Sequence, residues 1–272
     1  MKRFGSMSER VKYHNIVLLM VTFFCIGMIN AANGEESSTD YHPILVSHRG
    51  ANREADENTL KAYSKAAEYG MDYIECDPRL TKDGYFVIMH DPVVDRTTNG
   101  KGKISEMTLS EIKKLKTKRG ESVPTLDEVF TLAKEKDLNV YLDTKQYTDD
   151  YMEKLTAKTA EMNMSKDVMV GLWTVDQLKW MQKNHPEMAT SIPYPSPVPS
   201  ITTVKKMGAD WVGTEVFIAK KDMIEKVGKA GLKMITMPIN DKETIKEKMK
   251  DGLQVIQTDD PALLRSVVNE MK

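Results

Sequence analysis

The sequence predicts an α/β fold, a (β/α)8 TIM barrel with a small insertion after the hairpin of its second strand. Three observations carry that expectation. Short apolar runs alternate with helix-patterned stretches from Ile44 to the C-terminus. Setting one hairpin return aside, the runs number about eight over roughly 230 residues, against the ~250 typical of such a barrel. Polar, chemistry-bearing residues recur at the C-terminal ends of those runs, where this kind of barrel carries its function. A doubly wound open sheet is the alternative, but no glycine-rich phosphate turn follows the first run.

Composition narrows the classes. A chain of 272 residues, 40% apolar and 29% charged, is long enough for one large α/β domain or two small ones. A net charge of −1 supplies no basic field, so nucleic acid is not an expected partner. Two cysteines, Cys25 and Cys76, exclude a disulfide framework.

The N-terminus reads separately. Lys2, Arg3, Arg10 and Lys12 precede an apolar run from Ile16 to Ile29, and small polar residues follow. That is the layout of a secretory signal. Residues 1–33 are expected to be a signal peptide, cut within 31–34, which makes the protein exported, periplasmic or secreted. The apolar run is short of the roughly 20 residues that span a bilayer. An N-terminal membrane anchor is the alternative; bulky Phe23 and Phe24 argue against a lipid on Cys25. The domain is expected over 41–272, with Cys76 as a small buried apolar residue.

Within it, Pro43–Ser47 is a buried strand that delivers His48-Arg49-Gly50 at its end. A helical pattern runs from Glu57 to Tyr69 and stops at Gly70, and Met71–Asp77 is the next strand. Asp83-Gly84 then marks a tight turn into Tyr85–Met89. So short a link forces an antiparallel hairpin and is expected to set His90 opposite Asp77. Residues 92–123 are polar and turn-rich and read as the insertion, with a capping box at Thr108 and Glu111. Thr125 and Glu128 open the helix after it, and Asn139–Asp143 is a strand. Helices then alternate with strands near 168–172, 189–192, 210–213, 233–237 and 254–257, and a helix over 260–271 closes the chain.

Glu75 and Asp77 share one face of a strand, as do Asp143 and Lys145. Three carboxylates, Glu75, Asp77 and Asp143, are all-oxygen ligands suited to one hard divalent cation, Mg²⁺ or Ca²⁺. Arg49 and Lys145 suit a phosphate held between them. His48 and His90 suit general acid and base work. Together they point to phosphoryl chemistry on a diester. Single residues carry little: His14, His42 and His185 lack such company, Tyr41 and Lys113-Lys114 read as solvated surface, and the loop 193–199 as a rigid connection.

These residues resemble a known signature. His48-Arg49-Gly50, Glu57-Asn58-Thr59, Glu75-x-Asp77, Thr81-Lys82-Asp83-Gly84 and His90-Asp91 look like the glycerophosphodiester phosphodiesterase family. The likeness continues through Asp95-Arg96-Thr97-Thr98, Pro124-Thr125-Leu126 and Thr258-Asp259-Asp260-Pro261, covering about 44–265. It implies a barrel with a small insertion and metal-dependent hydrolysis of a small-molecule glycerophosphodiester to glycerol 3-phosphate and an alcohol. It implies His48 and His90 as the acid–base pair, Glu75, Asp77 and Asp143 as metal ligands, and Arg49 and Lys145 as phosphate holders. In that family a substrate hydroxyl attacks phosphorus first, and water opens the cyclic phosphate. Two departures stand out. Asp143-Thr144-Lys145 replaces the family's usual Glu-x-Lys, as in the sphingomyelinase-D-like relatives, and Met237-Pro238-Ile239-Asn240 lacks the usual aromatic. The alternatives are a related lipid phosphodiesterase, sphingomyelinase-D-like or lysophospholipase-D-like, and a non-catalytic phosphate-ligand binder.

Overall fold

Parallel strands cannot be joined by tight turns, so each crossover needs a segment long enough to return over the sheet. In the computed structural model, which describes residues 41–196 and 200–272, helices supply those crossovers. The order is β1 (Ile44–Ser47), α1 (Leu60–Glu68), β2 (Tyr73–Cys76), β3 (Pro78–Leu80), β4 (Phe86–Ile88), α2 (Leu109–Ile112), α3 (Leu126–Glu135) and β5 (Asn139–Asp143). There follow α4 (Asp149–Glu161), β6 (Val168–Gly171), α5 (Val175–Asn184), β7 (Ala189–Pro193), α6 (Ile201–Lys206) and β8 (Trp211–Thr214). The chain ends with α7 (Lys221–Lys229), β9 (Lys233–Thr236), α8 (Lys242–Lys250), β10 (Val255–Thr258) and α9 (Pro261–Glu270). Eight strands close a parallel barrel in the order β1, β10, β9, β8, β7, β6, β5, β2, the expected (β/α)8 fold.

Side-chain alternation separates two cores. Leu45, Ile74, Cys76, Val140 and Leu142 point outward and pack under the helices. Val46, Met169, Trp211, Ile235 and Val255 point inward, with Tyr73 and Tyr141 against them. Trp211 fills the barrel's middle, edge-on to Tyr73 at 5.3 Å and stacked on Tyr141 at 6.2 Å between ring centroids. Cys76 is a buried free thiol in the outer core. Among the described residues no helix is long and apolar enough to cross a membrane. The signal-peptide reading of residues 1–33 lies outside the described residues, as do 197–199 of the Pro-rich loop.

Hydroxyl or carboxylate caps mark the described α-helix starts except that of α7, where Lys220 makes no side-chain cap. Capping boxes close at Thr108 with Glu111 and Thr125 with Glu128, as the sequence indicated, and a third pairs Thr174 with Gln177. The first helix begins three residues later than expected from its pattern, because Thr59 is its N-cap, accepting from the Ala62 amide. That leaves Glu57 and Asn58 outside the helix. Residues 92–123 lie between β4 and α3 and pack around Val94, Ile104, Ile112 and Val123, with Val87 and Met89 of the hairpin return.

The hairpin corrects one expectation. Pro78 pairs with Ile88, Arg79 with Val87 and Leu80 with Phe86, and the Met89 amide donates to the Asp77 carbonyl at 2.9 Å. Met89, not His90, therefore stands opposite Asp77. The cause is the turn. Thr81 faces Tyr85 across a loop of Lys82, Asp83 and Gly84, with Gly84 at φ +84°. A three-residue loop ending in a left-handed residue shifts the register by one against a two-residue turn. His90 follows as the first residue past the pairing.

Candidate active site

The inward rows of β1, β2 and β5 each hold an apolar residue in the barrel and a polar one above it. Val46 leads to His48, Tyr73 to Glu75 and Asp77, and Tyr141 to Asp143 and Lys145. Strand register sets these rows side by side: Ser47 pairs with Ile74 on one flank and Thr258 on the other. One step further along, His48 comes level with Glu75 and Asp259. Glu75 pairs with Tyr141, which brings the next inward residues, Asp77 and Asp143, level as well. His48, Arg49, Glu75, His90, Asp143 and Lys145 line one cavity of about 440 Å³. Asp77 is buried behind it, 3.4 Å from Arg49 Nε and 2.7 Å from Lys145 Nζ. All seven residues singled out from the sequence thus converge, His90 by a register different from the expected one.

Glu75, Asp77 and Asp143 offer oxygens lying within 4.8 Å of one another. Their charges conflict. Burial, then the charges of Asp77 and Asp143, pushes the Glu75 carboxyl well above the ordinary carboxylate range. Burial raises Asp143 too, with Lys145 opposing and Asp77 adding. Burial also works against a charged Asp77, but Lys145, Arg49 and the Asn58 amide hold it below its ordinary value. The Lys145 ammonium bridges Asp77 and Asp143. Even so, Asp77 Oδ1 is buried with no aligned hydrogen bond. A compact set of hard oxygens, one buried oxygen left unaligned and a Glu that resists ionising beside two other acids together fit a hard divalent cation.

Neighbours that sequence reasoning left without roles hold this cluster. Arg49 has φ +56°, and that turn aims its amide at Glu75 Oε2, 2.8 Å away. Asn58, at φ +57°, donates to Asp77 Oδ2 at 2.6 Å and accepts from the Tyr63 hydroxyl at 2.8 Å. The other described non-glycine residues at positive φ, Asp137 and Asn163, merely close helices α3 and α4. At Arg49 and Asn58 the backbone strain serves the carboxylates instead. The Trp173 indole N–H donates to Asp143 Oδ1 at 2.9 Å.

Each histidine is backed by a carboxylate. His48 Nδ1 is 2.7 Å from Asp259 Oδ1, and His90 Nδ1 is 2.9 Å from Asp91 Oδ1. A carboxylate accepts only, so Nδ1 carries the proton and Nε2 is left for the cavity. Asn52 and Asn240 each donate to Asp259 at 2.6 Å. Burial works against the Asp259 charge, but His48, Asn52 and Asn240 hold its carboxyl well below the ordinary range. Arg96, foremost, with His90 does the same for Asp91. Arg96 also pairs with Glu57, and Glu57 with Arg49, so one ionic chain runs from His90 to the carboxylate cluster. Arg79 holds the His90 carbonyl by its guanidinium. Asp259 was legible as a signal: Val255 points into the barrel, so Gln257 and Asp259 follow on the same face.

Comparison with known proteins agrees with this architecture. The model of the glycerophosphoryl diester phosphodiesterase family matches residues 48–263. A glycerophosphodiester phosphodiesterase of Caldanaerobacter subterraneus subsp. tengcongensis is 34% identical over 238 residues, which cover 84% of this chain and 98% of that one. A crystal structure of glycerophosphodiester phosphodiesterase from Agrobacterium tumefaciens superposes with a TM-score of 0.74 at 29% identity, covering 83% of this chain and all of that one (100%). An Oleispira antarctica phosphodiesterase, solved in complex with the product sn-glycerol-3-phosphate, shares the fold with a TM-score of 0.74 at 23% identity, over 84% of this chain and 97% of that one. With the matched model running from the end of β1 into α9 and a relative matched nearly end to end, the chain belongs to the glycerophosphoryl diester phosphodiesterase family, a family of hydrolases.

Proposed function

We propose that the protein hydrolyses glycerophosphodiesters to glycerol 3-phosphate and an alcohol, with a divalent cation and with His48 and His90 as the acid–base pair. One observation carries this reading: two carboxylate-backed imidazoles face a cavity that also holds three clustered carboxylates, Arg49 and Lys145. Glu75, Asp77 and Asp143 are the residues to hold the cation, and their hard oxygens suit Mg²⁺ or Ca²⁺. Such an ion, when bound, neutralises charge on the phosphoryl oxygens. Arg49 gives the phosphate a planar fork, oriented by Glu57, and Lys145 a point charge. One imidazole Nε2 takes the proton of the attacking hydroxyl, and the other returns a proton to the departing alkoxide. The carboxylates behind them hold tautomer and orientation. The basic-then-apolar residues 1–33 support export by a signal peptide.

The test is direct. Chelator-stripped protein is given Mg²⁺, Ca²⁺ or Mn²⁺ and glycerophosphocholine, and glycerol 3-phosphate is measured. Turnover restored by one of these ions is the expected result. No product with any ion removes the hydrolase reading. Substituting His48→Ala or His90→Ala should lower kcat by about 10²–10⁴-fold, the usual share of general acid–base catalysis.

A further inference from the structure

The two imidazoles are held by different means. His48 belongs to the barrel. Its amide donates to the Thr258 carbonyl and its carbonyl accepts from the Asn52 side chain, both at 2.9 Å. His90 lies past the last pairing of the hairpin, outside the closed sheet. Its side chain is 40% exposed, against 17% for His48. Asp91, braced by Arg96, steadies the His90 ring at Nδ1 but leaves the backbone that carries the ring unheld. Among the described residues, the only hydrogen bonds that tie the His90 backbone to another element come from Arg79.

Arg79 stands two residues beyond Asp77, on the strand β3 that leads out of the barrel. It pairs with Val87, and its side chain reaches the far end of the hairpin's return. There Nε donates to the Met89 carbonyl at 3.1 Å and to the His90 carbonyl at 2.9 Å, and Nη2 donates to the His90 carbonyl as well. Arg79 is half-buried and forms no ion pair among the described residues. A guanidinium drawn out of water ordinarily pairs with a carboxylate. This one is committed to two carbonyls at the base of one imidazole.

We propose that Arg79 is a positioning residue: by fixing the Met89 and His90 carbonyls it sets the direction from which His90 Nε2 meets the proton it moves. This rests on the acid–base role proposed for His90 and adds the residue that aims it. The strand ladder of the barrel aims His48. An imidazole at the end of a hairpin lacks that ladder, and a planar fork replaces it by spanning two adjacent carbonyls, which the point charge of an ammonium does not. The plain alternative is a staple that only stabilises the hairpin. Loss of a staple spreads over the whole site, whereas loss of an aiming group falls on the step that uses His90 and vanishes once His90 is gone.

The experiment compares cation-loaded Arg79→Met, Arg79→Lys, His90→Ala and the double variant Arg79→Met/His90→Ala on glycerophosphocholine, measuring glycerol 3-phosphate. A shift of about 1 Å at a reacting group costs on the order of 10²-fold, so Arg79→Met should lower kcat by about 30–100-fold with KM within about threefold of wild type. Arg79→Lys, which keeps one donor, should fall between the two. The double variant should be no slower than His90→Ala alone. Millimolar methylguanidine, far below denaturing concentration, should restore part of the kcat of Arg79→Ala and none of that of His90→Ala. A wild-type kcat in Arg79→Met overturns the proposal, and so does an equal fold-loss from Arg79→Met with and without His90. Near-wild-type turnover in His90→Ala would instead remove the acid–base reading beneath it.

Discussion

At the scale of single residues, Asp259 and Trp173 act through other side chains. Asp259 comes 211 positions after His48 and meets it only because β10 closes the barrel against β1. Replacing it by Asn keeps the shape but offers Nδ1 a group that can donate, so the wrong tautomer becomes available. D259N should lower kcat by roughly 10–100-fold, by analogy with other orienting partners. If the two residues work as a unit, H48A/D259N should be no slower than H48A alone. Additive losses in that double-mutant cycle would show that Asp259 does not act through His48. Trp173→Phe removes the indole donor to Asp143 while keeping an aromatic ring. The concentration of cation giving half-maximal activity should rise about 10-fold, the low end for a lost outer partner. Direct titration of the ion by calorimetry reads this without turnover, and an unchanged affinity would separate Trp173 from the ion site.

At the scale of elements, two turns shape the site and carry different risks. Gly50 ends the β1 loop at φ +80°, and a Cβ there would come 2.6 Å from Ala62 Cβ and 2.7 Å from its carbonyl carbon. Gly50→Ala therefore adds a clash with the α1 backbone to left-handed strain, about 2–4 kcal/mol in all. Gly84 has a similar φ, +84°, but open space around it, so Gly84→Ala should cost only about 1 kcal/mol. Urea denaturation of both variants compares the costs; equal losses would mean that packing against α1 is not what demands Gly50. Element order was legible because alternation between apolar runs and capped helices is a local pattern, with Thr125 and Glu128 a clear instance. The hairpin register was not. Asp83-Gly84 announces a turn, but whether two or three residues fill it depends on Thr81 pairing with Tyr85, a contact that composition does not reveal. The period of two was legible at Glu75, Asp77, Asp143 and Lys145. Carried along β6, β9 and β10 from Met169, Ile235 and Val255, the same period reaches Trp173, Met237 and Asp259.

At the scale of the whole molecule, opposite pKa shifts divide the pH axis. In Asp259, Asp91 and Glu57 the folded value lies below the ordinary one. Their stabilisation is in place above the unfolded carboxylate range and is lost as pH falls through the folded values. In Glu75 and Asp143 the folded value is raised, so the sign reverses. What they contribute is present below the unfolded value and is lost as pH rises through the folded one. Above about pH 5 the depressed acids are already ionised in both states, and the cation-free chain should lose stability as Glu75 is forced to ionise. A divalent cation needs that ionised form, so its binding releases protons and strengthens with pH. At a hundred times its dissociation constant an ion contributes about 2.7 kcal/mol, or about 5–10 °C in Tm for a domain of this size. The Tm gain from Mg²⁺ or Ca²⁺ over chelator should therefore be small near pH 5 and grow toward neutrality. In Glu75→Gln, which cannot ionise, the cation-free fall in stability with pH should flatten and the gain from the ion should shrink at every pH. Thermal melts across pH, with chelator and with each ion, make the measurement. An ion-dependent gain that ignores pH, or one that survives Glu75→Gln intact, would place the cation away from the three carboxylates.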